Sequence, residues 1–175
     1  MNLEYKNLLP EDFAPDSRVW IYQSNRRFAL GEVLEVEKAL NDFTADWNAH
    51  GIPVKGFATV FFGQFIVVMA DESRTEVSGC STDSSVRVVK GIEQKFNISL
   101  FDRQLLAFVV KDKIEVLPMN QLEYSIENGF ILADTPYFNN TVLTKKDLED
   151  NWIIPAGKSW LSRKYGFNET AADGR

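Results

Sequence analysis

Hydrophobic positions recur along this chain with two periods, and the periods mark its elements. Val33, Val36, Leu40, Phe43 and Trp47 fall at spacings of three and four, which puts them on one helical stripe. Glu32, Glu35, Lys38, Asp42 and Asp46 fall off that stripe and face water. The pattern predicts a helix running to His50, a cation-favouring last-turn position, with Gly51 at C′ and Pro53 barring continuation. A second stripe, Val86, Val89, Ile92 and Phe96, follows Ser81, Thr82 and Asp83, three good N-cap residues.

Other stretches carry the strand signal. Arg18 to Gln23 is β-branched and aromatic and is closed by Ser24-Asn25-Arg26-Arg27. Phe57 to Phe62 and Phe65 to Ala70 flank Gly63-Gln64, a hairpin with a two-residue type II′ turn. Both strands are nearly continuous in apolar residues, whereas a one-sided antiparallel sheet alternates. They are therefore expected to be central. Their second face needs a cover, from the C-terminal segment or from another copy of the chain. Leu105 to Val110 and Ile114 to Leu117 form a second hairpin around Lys111-Asp112-Lys113. A short helix over Asn120 to Asn128 turns Leu122 and Ile126 inward and ends at Gly129. Another starts at Thr144 as N-cap, with Asp147 at N3 and Leu143 and Leu148 as a hydrophobic staple. Trp152 ends it, Pro155-Ala156-Gly157 breaks the chain, and Trp160-Leu161 anchors a last helical turn.

The order β-α-β-β-α-β-β-α-α predicts an α+β class: an antiparallel sheet with helices on one face. Its first six elements have the ferredoxin-like βαββαβ order, followed by a C-terminal hairpin and helical extension. The organisation read from the pattern is an N-terminal arm (1–17, anchored by Leu8, Leu9 and Phe13), a core (18–117), a helical extension packed on it (118–167) and a disordered polar tail (168–175).

Composition narrows the function classes. The 175 residues are enough for one core without staples, and 13 Phe supply it. A net charge of −6 disfavours nucleic acid, whose phosphates need a basic face. One cysteine excludes an internal disulfide and a four-cysteine zinc site. Met1 to Lys6 has no signal-peptide core, and no apolar run reaches the roughly 18 residues of a membrane span. A cytoplasmic protein with no membrane partner is expected.

The candidate chemistry gathers at Gly79-Cys80-Ser81-Thr82-Asp83-Ser84-Ser85. A helix start carries backbone N–H groups and a partial positive charge, an anion-binding geometry that Gly79 and the hydroxyls would complete. The phosphate-loop pattern is absent, since no lysine follows until Lys90. Cys80 before such a helix is a candidate nucleophile, and His50 is the one histidine that could serve it as base. Asp71, Glu72, Asp83 and Asp102 could offer oxygens to a hard cation, but their spacing matches no metal loop, and capping or solvation is the simpler reading. Asp102-Arg103 and Asn139-Asn140 would extend a polar pocket if the fold brought them to Gly79–Ser85.

Arg18-Val19-Trp20-Ile21-Tyr22-Gln23, Ser78-Gly79-Cys80-Ser81-Thr82-Asp83-Ser84-Ser85, Phe101-Asp102-Arg103 and Phe138-Asn139-Asn140 together resemble an uncharacterised family of small bacterial cytoplasmic proteins, over roughly residues 15–163. Its members sometimes carry the label "ABC transporter ATPase", although this chain has neither a Walker phosphate loop nor an LSGGQ-type signature. The resemblance implies no catalytic residue and no cofactor. The leading reading is a non-enzymatic module that binds a small anion or metabolite, or another molecule, at the Gly79–Ser85 helix start. The alternatives are a thiol-dependent enzyme using Cys80 and a structural homodimer.

Overall fold

The computed structural model describes residues 1–73, 77 and 79–167, and of Cys80 the backbone alone. The expected disordered tail, 168–175, lies outside the described residues. The class is α+β with antiparallel sheets. The chain divides into two compact units: a first of Asn2–Asp102 with Asn140–Asp150, and a second of Met1, Arg103–Asn139 and Asn151–Arg175. The division falls at Asp102/Arg103, where the sequence pattern had placed it after residue 117.

The first unit is built on three antiparallel strands, β1 (Arg18–Gln23), β4 (Lys55–Phe61) and β5 (Phe65–Asp71), in the order β1-β5-β4. The continuous apolar run of β5 is explained by its place: every residue of the strand is buried. Register puts Ile66, Val68 and Ala70 on one face, opposite Tyr22, Trp20 and Arg18 of β1. That face packs on α1 (Leu30–Asp46) and α2 (Gly79–Phe96) through Val36, Leu40, Val89 and Ile92. Both predicted helical stripes therefore face one side of one sheet.

The other face carries Phe65, Val67 and Met69. Its cover comes from this chain. Tyr5 meets Phe61 and Phe62 edge-on at 6.0 and 6.3 Å, and Phe13 meets Phe57 at 6.5 Å. The Tyr5 hydroxyl donates to the Leu148 carbonyl at 2.6 Å, which ties the arm to α4 (Lys145–Asn151). Tyr5, Leu9 and Phe13 are the arm's anchors, whereas Leu8, expected to anchor, is exposed. The arm is cover the sequence pattern had not assigned, and it is tied to α4, a part of the C-terminal segment that had been expected there.

The βαββαβ order does not close into one sheet. β1, β4 and β5 take the places of the first three ferredoxin-like strands, but β6 (Leu105–Val110) pairs elsewhere. The free edge of β1 is met instead by a bridge from Arg18 to Thr144, with the Val19 N–H on the Leu143 carbonyl at 3.0 Å. At the opposite edge, the Glu37 carboxylate accepts from the Val60 N–H (2.7 Å) and the Thr59 hydroxyl (2.8 Å). A carboxylate folded over an edge strand blocks pairing with another chain.

Three connections differ from their expected form, and the hairpin turn in each uses left-handed residues, which suit the strand twist. The β4–β5 loop is Phe62-Gly63-Gln64, with Phe62 and Gly63 left-handed (φ 56° and 63°). The β6–β7 loop is Lys111-Asp112, both left-handed, and β7 runs Lys113–Pro118. The first helix stops at Asp46, and the residues beyond it form a small hairpin of β2 (Asn48–Ala49) and β3 (Ile52–Pro53). α2 closes with a Schellman motif the pattern did not announce: left-handed Asn97, with Ile98 N–H on the Glu93 carbonyl and Asn97 N–H on that of Gln94.

The second unit holds the sheet β7-β6-β8-β9, with β8 at Pro136–Phe138 and β9 at Ile153–Pro155. The segment expected to be a helical extension, with no strand in it, thus contributes two strands. Leu106, Phe108 and Tyr137 pack with Leu122 and Ile126 of α3 (Leu122–Glu127) and Leu161 of α5 (Leu161–Tyr165). The inward pair of α3 and the Gly129 terminator are as expected. At α4, back in the first unit, Thr144 Oγ1 accepts from the Asp147 N–H, as a cap should, but Leu143 is exposed and makes no staple with buried Leu148.

Candidate functional site

The start of α2 is assembled from three directions. β5 ends at Asp71, which accepts the Ser73 N–H, and the buried residue Val77 donates its N–H to Glu72. The helix is already formed at Gly79, so Ser81, Thr82 and Asp83 lie inside its first turns and are not its N-cap. Ser81 is buried. Its hydroxyl donates to the Asn48 carbonyl at 3.0 Å, and its own carbonyl accepts the Trp47 indole N–H at 3.0 Å. Ser85 is also buried, and its hydroxyl donates to the Thr82 carbonyl at 2.7 Å. These two hydroxyls are committed to holding the helix start. Gly79 and Asp83 are exposed and Ser84 is half-buried, and a Cβ placed on Gly79 would meet nothing within 4 Å among the described residues. The side chain of Cys80 lies outside the described part of the structure.

His50 is not in a helical turn. It is the first residue of the β2–β3 turn, exposed and left-handed (φ 52°), and Gly51 (φ 79°) is the second turn residue and not a helix C′. Helical spacing continued past Asp46, but Trp47 leaves the helix (ψ 124°). Its ring then seats against Phe43 at 4.8 Å and its N–H reaches Ser81. The same contacts place the β2–β3 hairpin against α2. Asn48, two residues before His50, is hydrogen-bonded to Ser81, the residue after Cys80. No spacing in the sequence announces that juxtaposition.

The other polar residues are dispersed. Asp102 is exposed at the end of the first unit, where its neighbour Phe101 rests on Tyr22 at 5.3 Å. Asn140, in the same unit, donates to the Gln23 side chain at 2.9 Å. Arg103 and Asn139 belong to the second unit. Asn139 donates there, from its backbone N–H to the Trp152 carbonyl at 2.6 Å and from its side chain to that of Asn151 at 3.2 Å, which joins the ends of β8 and β9.

Among the described residues, one of the candidate carboxylates, Asp71, is heavily used. Asp71 is buried, and its carboxylate receives Lys55 Nζ at 3.1 Å, Ser73 N–H at 3.0 Å and Ala14 N–H at 3.4 Å. Burial pushes its pKa up, but the hydrogen bonds from Ser73, Lys55 and Ala14 outweigh that and hold it at about 2. Lys55 also reaches Asp12 and lies over the Phe13 ring at 4.7 Å. The network pins the arm to the β4–β5 hairpin; of the two expected states, capping and solvation, Asp71 takes the first, accepting the Ser73 and Ala14 N–H groups. Among the described residues, no three Cys, His, Asp or Glu side chains are grouped to hold a metal ion. No described helix is long and apolar enough to cross a membrane.

Comparison with family models, with curated proteins and with solved structures finds no match to this chain.

Proposed function

We propose that the protein is a non-enzymatic binding module that takes a small anion or metabolite at the exposed surface of the first turns of α2. The observation behind this reading is a division of labour. The inward hydroxyls, Ser81 and Ser85, hold the helix start against the β2–β3 hairpin, while the outward side leaves Gly79 open to close approach. A helix start held rigid costs no ordering when a ligand arrives, and its dipole favours a negative group. A thermal-shift screen of carboxylate and phosphate metabolites tests the reading on the wild type and on Gly79→Val and Asp83→Ala. Both variants should keep the unliganded stability within about 0.5 kcal/mol and lose or change the ligand-induced rise in melting point. A panel that shifts nothing, or variants that respond like the wild type, ends it.

A second reading, a thiol-dependent enzyme using Cys80, is favoured by the Asn48–Ser81 hydrogen bond, which brings the His50 turn beside the Cys80 stretch. The alkylation rate of Cys80 against pH, with and without His50→Ala, decides it. A functional thiol reacts with an apparent pKa well below about 8.5, and His50→Ala raises it. An unshifted value in both proteins removes the reading.

A further inference from the structure

Exposed aromatic and aliphatic side chains are concentrated at one place in the second unit. Tyr124 and Phe130 are 63% and 62% exposed and Leu132 is 43% exposed. They lie on α3 and the eight residues after it, a segment folded tightly on itself. Gly129 is left-handed and closes α3 with a Schellman motif, and the Phe130 and Ile131 N–H groups both reach the Ser125 carbonyl at 2.8 and 3.1 Å. Phe130 is therefore the C″ residue of the motif, following the last turn of the helix that carries Tyr124, and most of its ring stays in solvent.

The exposure is not looseness. Ile131 is buried, and the Gly157 N–H holds the Ala133 carbonyl at 2.8 Å. A side chain on Gly157 would stand 3.0 Å from the Ala133 Cβ, so the two strands of chain are in close contact. A turn closes on the Leu132 carbonyl through the Thr135 N–H at 3.1 Å, and the Thr135 hydroxyl accepts the Leu132 N–H at 2.9 Å. With Ile131 and Ala133 held inward, Phe130 and Leu132 are held outward.

Along the segment itself the charge has one sign, and the basic side chains of the adjoining turns are Lys158, next to Gly157, and Lys164, whose ammonium lies 3.7 Å from Met119 Sδ. From Ile114 to Thr144 the chain carries four acidic side chains and no lysine, arginine or histidine. Three of these acids, Glu123, Glu127 and Asp134, are exposed beside the apolar residues, and none takes part in an ion pair among the described residues. An acidic rim repels nucleic acid and anionic lipid, and it complements a basic partner.

We infer that the Tyr124–Phe130–Leu132 surface docks a basic, amphipathic segment of a partner protein. Its apolar side chains would lie on the two aromatic rings and Leu132, and its lysines or arginines would meet Glu123, Glu127 and Asp134. Rigid, exposed aromatics supply contact area at low entropic cost, as interface anchors do.

The probe is a fluorescent amphipathic peptide of Leu-Lys-Lys-Leu repeats, titrated with the whole protein and followed by anisotropy. It should bind, more weakly as salt rises, while a Leu-Glu-Glu-Leu counterpart should not. Tyr124→Ser and Phe130→Ser leave the net charge unchanged and should each raise Kd about tenfold or more, with the melting point retained because both positions are exposed. Glu123→Gln with Glu127→Gln should weaken binding more than Glu11→Gln with Asp16→Asn, which removes the same charge from exposed positions in the first unit. The inference is overturned if the wild type does not bind the basic peptide, if the serine variants bind as tightly as the wild type, or if the two charge pairs are equivalent.

Discussion

Substituting Gly56 by alanine tests the seat of Trp47, on which the start of α2 depends. Gly56 sits on β4 opposite Ala70, on the face turned to α1. A Cβ there would stand 2.6 Å from Trp47 Cε3 and 3.1 Å from Cζ3, closer than carbon atoms approach. Its backbone is not left-handed, so alanine meets no conformational penalty and should gain about 0.4–1 kcal/mol from the stiffer unfolded chain. Only the indole opposes it. Trp47 is enclosed by Phe43 at 4.8 Å and Trp20 at 6.4 Å and is 3% exposed, so it has no open side to move into. Overpacking of this kind costs about 1–3 kcal/mol. Displacing the ring also strains the Nε1–Ser81 hydrogen bond, worth about 1 kcal/mol. The net expectation is a loss of about 2 kcal/mol, or about 4–8 °C in Tm for a chain of this size. Urea unfolding followed by circular dichroism, beside a thermal melt, measures it. Gly91→Ala, in α2 where a Cβ meets nothing, supplies the opposite sign, a gain of about 1 kcal/mol. If Gly56→Ala is neutral or stabilising, Trp47 is not seated on Gly56 and the account of how α2 is held fails.

Three further outcomes follow from the same contacts. Ser81→Ala should cost about 1–2 kcal/mol in urea unfolding, because it leaves the Asn48 carbonyl without its buried donor; no change would return Ser81 to the pool of ligand-binding hydroxyls. Asp71 has a folded pKa of about 2 against an ordinary 3.8, so its contribution is present above pH 3.8 and is lost as pH falls through about 2. Asp71→Asn should therefore destabilise at pH 7 by about 1–3 kcal/mol and flatten that acid limb, and an acid limb identical to the wild type would remove Asp71 as its source. Glu37→Ala uncovers the edge of β4, so light scattering on mild heating should show faster aggregation, with an unfolding free energy that changes by less than about 1 kcal/mol; an unchanged scattering rate would mean that the edge needs no carboxylate.

What was legible in the sequence is what local chemistry decides. The stripes Val33–Phe43 and Val86–Phe96 specify two helices and the faces they bury, since period and side-chain direction are properties of the helix itself. The apolar run Phe65–Ala70 specifies a central strand. Thr144 and Gly129 mark a helix start and a helix end because a hydroxyl and a missing Cβ act within a few residues. What the sequence could not decide is where these pieces meet. Whether β6 joins β1 or a second sheet depends on which edge Leu143 and Thr144 already occupy. Trp47 continues the helical spacing but leaves the helix, because its ring and N–H are better satisfied by Phe43 and Ser81 than by one more turn. For the same reason Ser81 and Ser85, alike in sequence to Ser84, turn out to be fastenings. Asp71 reads as a strand-end cap or a solvated charge, and its burial comes from Lys55 and the arm closing over it. Propensity and period are set by neighbours along the chain; burial, pairing and charge are set by neighbours across it, and those exist only once the chain has folded.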